Sequence, residues 1–433
     1  MALPDANRRD FVIGSASLPL LSIPTSANAA SEAKVEDDLQ RYVGFGNKQA
    51  GGDGDDRCGA WLAAELENAG FAVERQAVSV PFFATERCEI AAGTARTTLW
   101  PQPIVRVTGP DGITGPLVRV DSAGGAAASL NGAIALVDLP YARWSTALAK
   151  PIRTPIDAAF ARGAHAAIVV TNGPTGKIIA LNTDGRRPMF PGPVALMAPD
   201  DAAPFFTSAM RGERATLHLT GNSGRRPAFN FVGRINRGKG RWLAVSTPRS
   251  GWFTCAGERG GGIAAWLHLA RWASRNAPDH DLAFICNTGH EYEYLGAEES
   301  LQKIAPKPHE TAFWLHLGAN LAARDWHDAV GTRAPLPGTD SQRYLVVSPP
   351  LLPAARAEFA GLTGLEAPYS SDQLSAGELT GIIAAGYRSV AGVFGIHRFH
   401  HVAEDDAHCL SARAVAHTIA AFQRLVAHAL QGG

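Results

Sequence analysis

The sequence is poor in cysteine, and its cysteines lack the close pairing that a structural metal site needs. Only five of the 433 residues are cysteine, and they lie far apart along the chain. The absence of any Cys-x-x-Cys spacing argues against a structural zinc finger. Because the number is odd, at least one thiol stays free if the others pair. The five are Cys58, Cys88, Cys255, Cys286 and Cys409.

The chain also lacks an excess of charge of either sign. Lysine plus arginine and aspartate plus glutamate each number 40, so the formal net charge is +0. Proteins that bind nucleic acid or an anionic membrane surface usually carry a basic excess. We therefore expect neither partner, and instead expect a small-molecule or peptide-like substrate.

Two common catalytic motifs are missing as well. No Gly-x-Ser-x-Gly sequence is present, which excludes the usual nucleophile elbow. The run Gly260-Gly261-Gly262 lacks both the Lys-Ser/Thr pair of a phosphate-binding loop and the spacing of a dinucleotide-binding loop. We interpret this run as the tight entry of a helix against a sheet.

The first 29 residues have the three ordered parts of a twin-arginine signal peptide. Arg8 and Arg9 precede a modest apolar stretch at 12–23, and Ala27-Asn28-Ala29 supplies a cleavage site with two small residues. The apolar stretch is too short to span a membrane. We therefore predict export of a folded protein to the periplasm or the medium, with no membrane span.

The remainder of the chain predicts an α/β fold with an insertion. From residue 228 onward, apolar strands at 242–245, 282–285 and 313–317 alternate with helices, which indicates a three-layer, mostly parallel sheet. Residues 99–227 are rich in Gly, Pro and Ala and contain short strands. We interpret them as a small β-rich inserted domain, and the alternative is a continuation of the main sheet.

Several helices can be placed from local signals. The Gly/Asp-rich run at 51–56 predicts a turn or cap before an amphipathic helix at 58–69. A short helix is predicted at 157–162, where Gly163 ends it. The last helix, at 411–430, has Ser411 as its cap and an apolar inner stripe.

One segment combines a buried strand with titratable side chains. The strand at 282–285 is followed directly by His290, Glu291 and Glu293. In open α/β sheets, ligands and catalytic groups gather beyond the carboxyl ends of the strands. This position suits acid–base or metal chemistry, and the alternative is a solvated loop before the next helix.

The order of these pieces resembles the secreted zinc aminopeptidase and glutamate carboxypeptidase family, whose members carry an inserted protease-associated domain. Residues 150–172 resemble that insert, and 229–234 resemble the return into the catalytic domain. Glutaminyl cyclases and the transferrin receptor are relatives of this family. The resemblance implies four segments: a signal peptide at 1–29, the first part of the peptidase-like domain at 30–98, the insert at 99–227 and the main part at 228–433.

The resemblance also implies a dizinc site, of which one half is lost here. The first His and the second Asp of the family fall on Thr247 and Gly318, and the nearby Asp falls on Arg249. Neither Thr nor Gly supplies the imidazole or carboxylate that zinc requires. The chain therefore resembles a divergent member with a degraded dizinc site.

The other half keeps three donor side chains. The bridging Asp falls on Glu258, the second Glu of the Glu-Glu pair on Glu291, and the final His on His400 or His401. Three protein ligands plus water is the usual catalytic arrangement, and glutaminyl cyclases keep one zinc on this set. Two cofactor predictions stay open: one zinc ion held by Glu258, Glu291 and His400, or none.

The position of the general base is changed too, because His290 replaces the first Glu of the pair. An imidazole accepts a proton near neutral pH, so His290 is a candidate base. The candidate catalytic residues are His290, Glu291, Glu293, His316 and His400. Arg249, Arg259 and His401 are candidate substrate-binding residues.

The two arginines also have a structural interpretation. If they pair with Glu258 or Glu291, they fill the vacated metal position and argue against any metal. Three functions therefore stay open. The first is an exported hydrolase of amide or related bonds with at most one metal. The others are a metal-independent lyase or cyclase using His acid–base chemistry, and a non-catalytic binding protein.

Overall fold

The computed structural model describes residues 26–327 and 334–431, with side chains from residue 31 onward. The twin-arginine pair and the apolar stretch of the predicted signal peptide lie outside the described residues, so export stays a prediction. Within the described ranges, no helix is both long enough and apolar enough to cross a membrane.

Helices account for a large part of the described chain, and some are longer than the sequence predicts. The second helix begins at Asp53, within the run predicted as a turn, and the third begins at Lys150 rather than at 157. Pro151 lies in the first turn of the third helix, where a missing N–H costs little. The helices are α1 Ser26–Val43, α2 Asp53–Asn68, α3 Lys150–Ala161, α4 Pro199–Met210, α5 Gly261–Asn276, α6 Leu295–Lys303, α7 Leu352–Glu358, α8 Gly377–Ala384 and α9 Ala412–Gln431.

The strands include the three that the sequence predicts at 242–245, 282–285 and 313–317. They are β1 Ala72–Ala92, β2 Ala95–Thr98, β3 Trp100–Pro101, β4 Ile113–Val120, β5 Ile134–Asp138, β6 Ala166–Val170, β7 Val194–Met197, β8 Arg214–Ile235, β9 Trp242–Pro248, β10 Asp281–Asn287, β11 Thr311–Leu317, β12 Arg324–Trp326, β13 Pro335–Thr339, β14 Arg343–Val347, β15 Tyr369–Ser370 and β16 Val390–Gly395.

The centre of the main sheet is parallel. Its strands run in the order β15-β14-β16-β11-β9-β10-β8, and β16, β11, β9 and β10 are mutually parallel neighbours. Strand β14 is antiparallel to β16, and β8 is antiparallel to β10. The four parallel strands are largely buried, as expected for continuous apolar runs covered on both faces.

Helices cover both faces of this sheet, which confirms the predicted three-layer α/β architecture. On one face α1, α2, α5, α7 and α9 share a core that includes Leu39, Trp266 and Phe422. On the other face α6 and α8 contribute to a second core, which contains Ile285 and Ile382. Side chains of β10 alternate between the two cores because successive residues of a strand point to opposite faces.

Residues 99–227 surround a second group of parallel strands. Strands β4, β5, β6 and β7 lie side by side, with α3 on one face and α4 on the other. The long strands β1 and β8 pair along their whole length and connect this group to the main sheet. The core under α3 also includes Phe399 and Val402, which flank two candidate histidines. The boundaries of the inserted domain stay a prediction.

All five cysteines are buried free thiols. Burial raises the pKa of the Cys255 and Cys286 thiols to about 12, so neither is a reactive thiolate near neutral pH.

Candidate active site at the carboxyl ends of the parallel strands

The four parallel strands end at one edge of the main sheet, and the candidate residues follow them. Glu258 and Arg259 come after β9, His290 and Glu291 after β10, and His400 after β16. His316 lies near the end of β11. The topology thus brings together side chains that are far apart in the sequence.

Glu258, His400 and His401 form one of two groups of possible metal ligands among the described residues. One donor atom from each lies within 4.8 Å of the others, and all three side chains are buried. Glu258 stands in a π-helical turn, Ala256–Gly260, just before α5. Asp405 holds this turn, because its carboxylate accepts hydrogen bonds from the backbone N–H of Gly257 at 2.7 Å and of Glu258 at 3.1 Å.

The ring of His401 is oriented by a backbone carbonyl. Its Nδ1 lies 2.9 Å from the Ala180 oxygen, which can only accept, so Nδ1 carries the proton. In the neutral ring the lone pair of Nε2 then faces the Glu258 carboxylate, 3.3 Å from Oε1. Two acceptors at this separation require a proton or another cation between them.

His400 stacks on His401, with the ring centroids 3.8 Å apart. Its Nε2 lies 3.3 Å from the Ser145 hydroxyl, whereas its buried Nδ1 has no partner among the described residues. Burial and the adjacent His401 ring hold the pKa of His400 well below its usual value. The His400 ring is therefore neutral near pH 7.

Arg259 supplies a positive charge to the same cluster. Its Nη2 lies 2.6 Å from Glu258 Oε1, and both side chains are almost completely buried. Burial alone raises the pKa of a carboxyl, but Arg259, His401 and His400 hold the pKa of Glu258 well below its usual value. The second oxygen, Glu258 Oε2, and Arg259 Nη1 have no hydrogen-bond partner among the described side chains and backbone.

His290 is paired with a carboxylate that the sequence analysis did not identify. Its Nδ1 lies 2.9 Å from Oε1 of Glu378, at the start of α8. The other oxygen of Glu378 accepts from Asn287 Nδ2 at 3.1 Å. Burial and the positive charge of Arg259 lower the pKa of His290 below its usual value. The Glu378 carboxylate thus orients the His290 imidazole, as a third group orients the base beside a catalytic nucleophile.

His316 is buried beside this pair. Its Nδ1 lies 2.9 Å from the Ser246 hydroxyl and 3.9 Å from Glu378 Oε2. Burial lowers the pKa of His316 to about 4, so the ring is neutral near pH 7.

Glu291 belongs to a separate network. Its Oε1 accepts from the backbone N–H of Ala50 at 2.6 Å, and its Oε2 accepts from the Ser250 hydroxyl at 2.7 Å. Burial raises the pKa of this carboxyl to about 7. Glu291 is not part of the cluster formed by Glu258, His400 and His401.

Glu293 is held by the hydroxyl of Thr146, which donates to its Oε1. Burial raises the pKa of the Glu293 carboxyl. Its backbone and that of Tyr294 are left-handed, with φ of 49° and 65°. Such conformations are uncommon for residues other than glycine and concentrate at functional sites.

Arg249 is part of the core. Its Nε lies 2.9 Å from Asp55 Oδ1, and both side chains are fully buried. Its Nη2 donates to the backbone carbonyl of Phe229 at 2.7 Å. The guanidinium thus links α2 and β8 to the end of β9, and we assign Arg249 a structural role.

Sequence reasoning missed four polar residues of the site, each brought in by tertiary structure. Neither Glu378 nor Asp405 is named in the sequence analysis. The four are Ser145, Ser246, Glu378 and Asp405.

The sequence matches no protein-family profile and no curated protein. The structure, in contrast, superposes on solved aminopeptidases. A zinc aminopeptidase from Bacillus subtilis, BSAP, gives a TM-score of 0.71 at 16% identity, covering 93% of this chain and 95% of its own. The chain has the fold of the zinc aminopeptidases. A peptidase M28 precursor from Shewanella amazonensis gives 0.67 at 16% identity, covering 93% and 97%. An aminopeptidase from Aneurinibacillus sp. strain AM-1 gives 0.66 at 15%, covering 92% and 93%.

Three side chains here, Glu258, His400 and His401, are of the donor types that zinc accepts, although Arg259 already pairs with Glu258. Zinc accepts carboxylate oxygen and imidazole nitrogen, and catalytic sites use three such ligands. Glu258 Oε2 and His400 Nδ1 have no partner among the described residues, and His401 Nε2 faces the same cluster. His401 also donates its other ring N–H to a backbone carbonyl, as zinc-binding histidines commonly do.

The buried pair of Arg249 and Asp55 leads to a stability prediction. Asp55→Asn leaves the guanidinium buried without its counter-charge, which is expected to lower the free energy of unfolding by about 3 kcal/mol. Asp56→Asn changes an exposed carboxylate on the same helix and is expected to stay within about 0.5 kcal/mol. Urea unfolding measures both. Equal stability of the two variants would contradict the structural assignment of Arg249.

The raised pKa of Glu291 leads to a pH prediction. Since the folded pKa of about 7 exceeds the ordinary value of 4.5, folding favours the protonated form, and this stability is lost as pH rises from about 4.5 through 7. Between pH 5 and 8, wild type is expected to lose about 2 kcal/mol of unfolding free energy relative to Glu291→Gln. Denaturant unfolding at each pH measures this difference. The exposed Glu67→Gln is the control, and an identical pH profile for all three proteins would contradict the prediction.

Proposed function

We propose that the protein is a hydrolase of an amide or related bond that uses a single zinc ion held by Glu258, His400 and His401. The observation that carries this proposal is the convergence of three buried donor side chains within 4.8 Å. The proposal replaces Glu291 of the sequence-based set by His401. Both carboxylate oxygens of Glu291 already accept hydrogen bonds elsewhere.

The similar solved structures support a peptidase-like reaction, since BSAP is described as a zinc aminopeptidase. The chain nevertheless lacks donors at two positions of the second zinc. Thr247 donates its hydroxyl to the Leu317 carbonyl at 2.9 Å, and a side chain on Gly318 would meet the Val393 carbonyl at 2.6 Å. We therefore propose a reaction that needs one metal rather than two.

His290 serves as the general base in this proposal. When bound, zinc supplies Lewis acidity toward a carbonyl oxygen and lowers the pKa of a bound water. Glu378 accepts the Nδ1–H of His290, which leaves the Nε2 lone pair to take a proton from water. Because its pKa is lowered, His290 is unprotonated and competent near neutral pH.

We also propose that the protein acts in the periplasm or the medium. This part rests on the twin-arginine pattern at Arg8 and Arg9 and the cleavage site at Ala27-Asn28-Ala29. Export by that route carries a folded protein, which is compatible with a site assembled from distant segments.

Metal content tests the zinc site. Protein purified without chelator is expected to contain about one zinc per chain by elemental mass spectrometry, in line with a three-ligand site. His400→Ala and His401→Ala are expected to lose the ion, whereas Glu291→Gln is expected to retain it. Absence of zinc after loading would contradict the metal-dependent proposal. Loss of zinc in Glu291→Gln alone would favour the set implied by the family resemblance.

A second candidate function is metal-independent acid–base catalysis. The contact of 2.6 Å between Arg259 and Glu258 favours it, since a guanidinium already supplies the counter-charge beside this carboxylate. In this reaction Arg259 would stabilise a developing negative charge and His290 would move the proton. Turnover that survives removal of all metal by chelator would support this candidate over the first.

The pair of His290 and Glu378 is required by both candidates. His290→Gln is expected to lower kcat by about 10²- to 10⁴-fold because the base is lost. Glu378→Gln is expected to act through His290, so the double variant loses little more than His290→Gln alone. Turnover on a panel of aminoacyl p-nitroanilides and p-nitrophenyl esters measures the effect. Glu298→Gln, an exposed carboxylate in α6, is the control. Unchanged kcat in His290→Gln would contradict this role.

A further inference from the structure

A chain of three buried polar groups ends on His316. The Nε1–H of Trp314 donates to the Ser246 hydroxyl at 2.8 Å, and the same hydroxyl oxygen lies 2.9 Å from Nδ1 of His316. All three side chains are almost fully buried. No step assigned so far uses this chain of contacts.

These two contacts of the Ser246 hydroxyl determine which nitrogen of His316 carries the proton. Trp314 can only donate, so it occupies a lone pair of the Ser246 oxygen. Among the described residues, the ring of His316 is the remaining hydrogen-bond partner of that hydroxyl. A buried O–H without an acceptor is costly, so the hydroxyl donates to Nδ1. The proton of the neutral ring is therefore on Nε2.

Another acceptor for an Nδ1–H is too far away. Glu378 Oε2 lies 3.9 Å from Nδ1, beyond hydrogen-bond distance. Glu378 instead accepts from His290 and Asn287. The ring stays neutral, since burial lowers its pKa to about 4.

The Nε2 edge faces the position where the chain lacks a metal ligand. A Cβ added to Gly318 would lie 3.4 Å from His316 Nε2, so a longer side chain there would compete for this space. Gly262 and Thr247 lie near the backbone of Gly318, because a Cβ on Gly262 would lie 3.1 Å from the Gly318 carbonyl and 3.5 Å from the Thr247 hydroxyl. No described residue accepts a hydrogen bond from Nε2.

We propose that His316 Nε2–H donates a hydrogen bond to the oxyanion that forms on the substrate, at the place of the missing second metal. A neutral N–H donor that is fixed before the reaction stabilises such a charge without reorganisation. Ser246 and Trp314 are positioning residues, because they act only through the ring. The inference rests on the proposed function in one respect: the substrate carries a carbonyl.

The first test reads the ring directly, without a substrate. In protein labelled with ¹⁵N-histidine, the NMR signals of His316, assigned with His316→Phe, are expected to show protonated Nε2 and unprotonated Nδ1 from pH 5.5 to 8. Ser246→Ala is expected to populate the other tautomer. Ser300→Ala is the matched control, since its buried hydroxyl donates to Asn287 Oδ1 at 2.6 Å without touching the ring. An Nδ1–H ring in wild type would overturn the proposal.

The second test uses methylphosphonate as a small tetrahedral oxyanion. Its titration is expected to shift the His316 Nε2–H signal saturably, and His316→Phe is expected to weaken its binding at least about tenfold, as for a charge-assisted hydrogen bond. No binding, or binding that leaves the His316 signals unchanged, would overturn the proposal.

Kinetics complete the test on any substrate that the panel reveals. His316→Phe is expected to lower kcat by about 10²-fold with little change in KM, and His316→Gln, which keeps an N–H donor, to recover part of the loss. An unchanged kcat in His316→Phe would overturn the role. The ring tautomer and the phosphonate shift do not depend on zinc content or turnover, so failure of the proposed function is distinguishable from failure of this inference.

Discussion

The site depends on one buried negative charge, that of Glu258. A carboxylate taken out of water is stable only when it is paired and hydrogen-bonded. Arg259 lies against one oxygen, His401 faces the same oxygen, and Asp405 fixes the backbone turn from which the side chain projects. This requirement explains why a loop from β16, a turn before α5 and a guanidinium converge at one point.

The residues that the family resemblance aligns with ligands of one zinc are satisfied here without a metal. Thr247 donates to a backbone carbonyl, and Arg249 is neutralised by Asp55 within the core. Gly318 leaves room beside His316 instead of adding a charge. None of these three residues therefore needs an ion, and the zinc aminopeptidase fold accommodates all of them.

Predictions from the sequence succeeded where the signal was local. The apolar runs of β9, β10 and β11 and the stripe of α9 follow from periodicity, and the strand ends are where the candidate residues lie. Glu378 and Ser246 were missed because their partners lie 88 and 70 residues away. Glu291 was assigned to the metal by resemblance, but its side chain is drawn away by Ala50 and Ser250, which only packing determines.

The backbone around the site is held in conformations that oppose stability. Among the described residues, every non-glycine residue with positive φ lies in a loop after β9, β10, β11 or β16. They are Phe253, Cys255, Glu293, Tyr294, Asn320 and His401. Each such residue costs on the order of 1–3 kcal/mol and persists only when its surroundings determine it. A site that had become mere core packing would be free to lose this strain. Its occurrence at all four strand ends shows that the surrounding packing holds the loops of the buried histidines in these conformations.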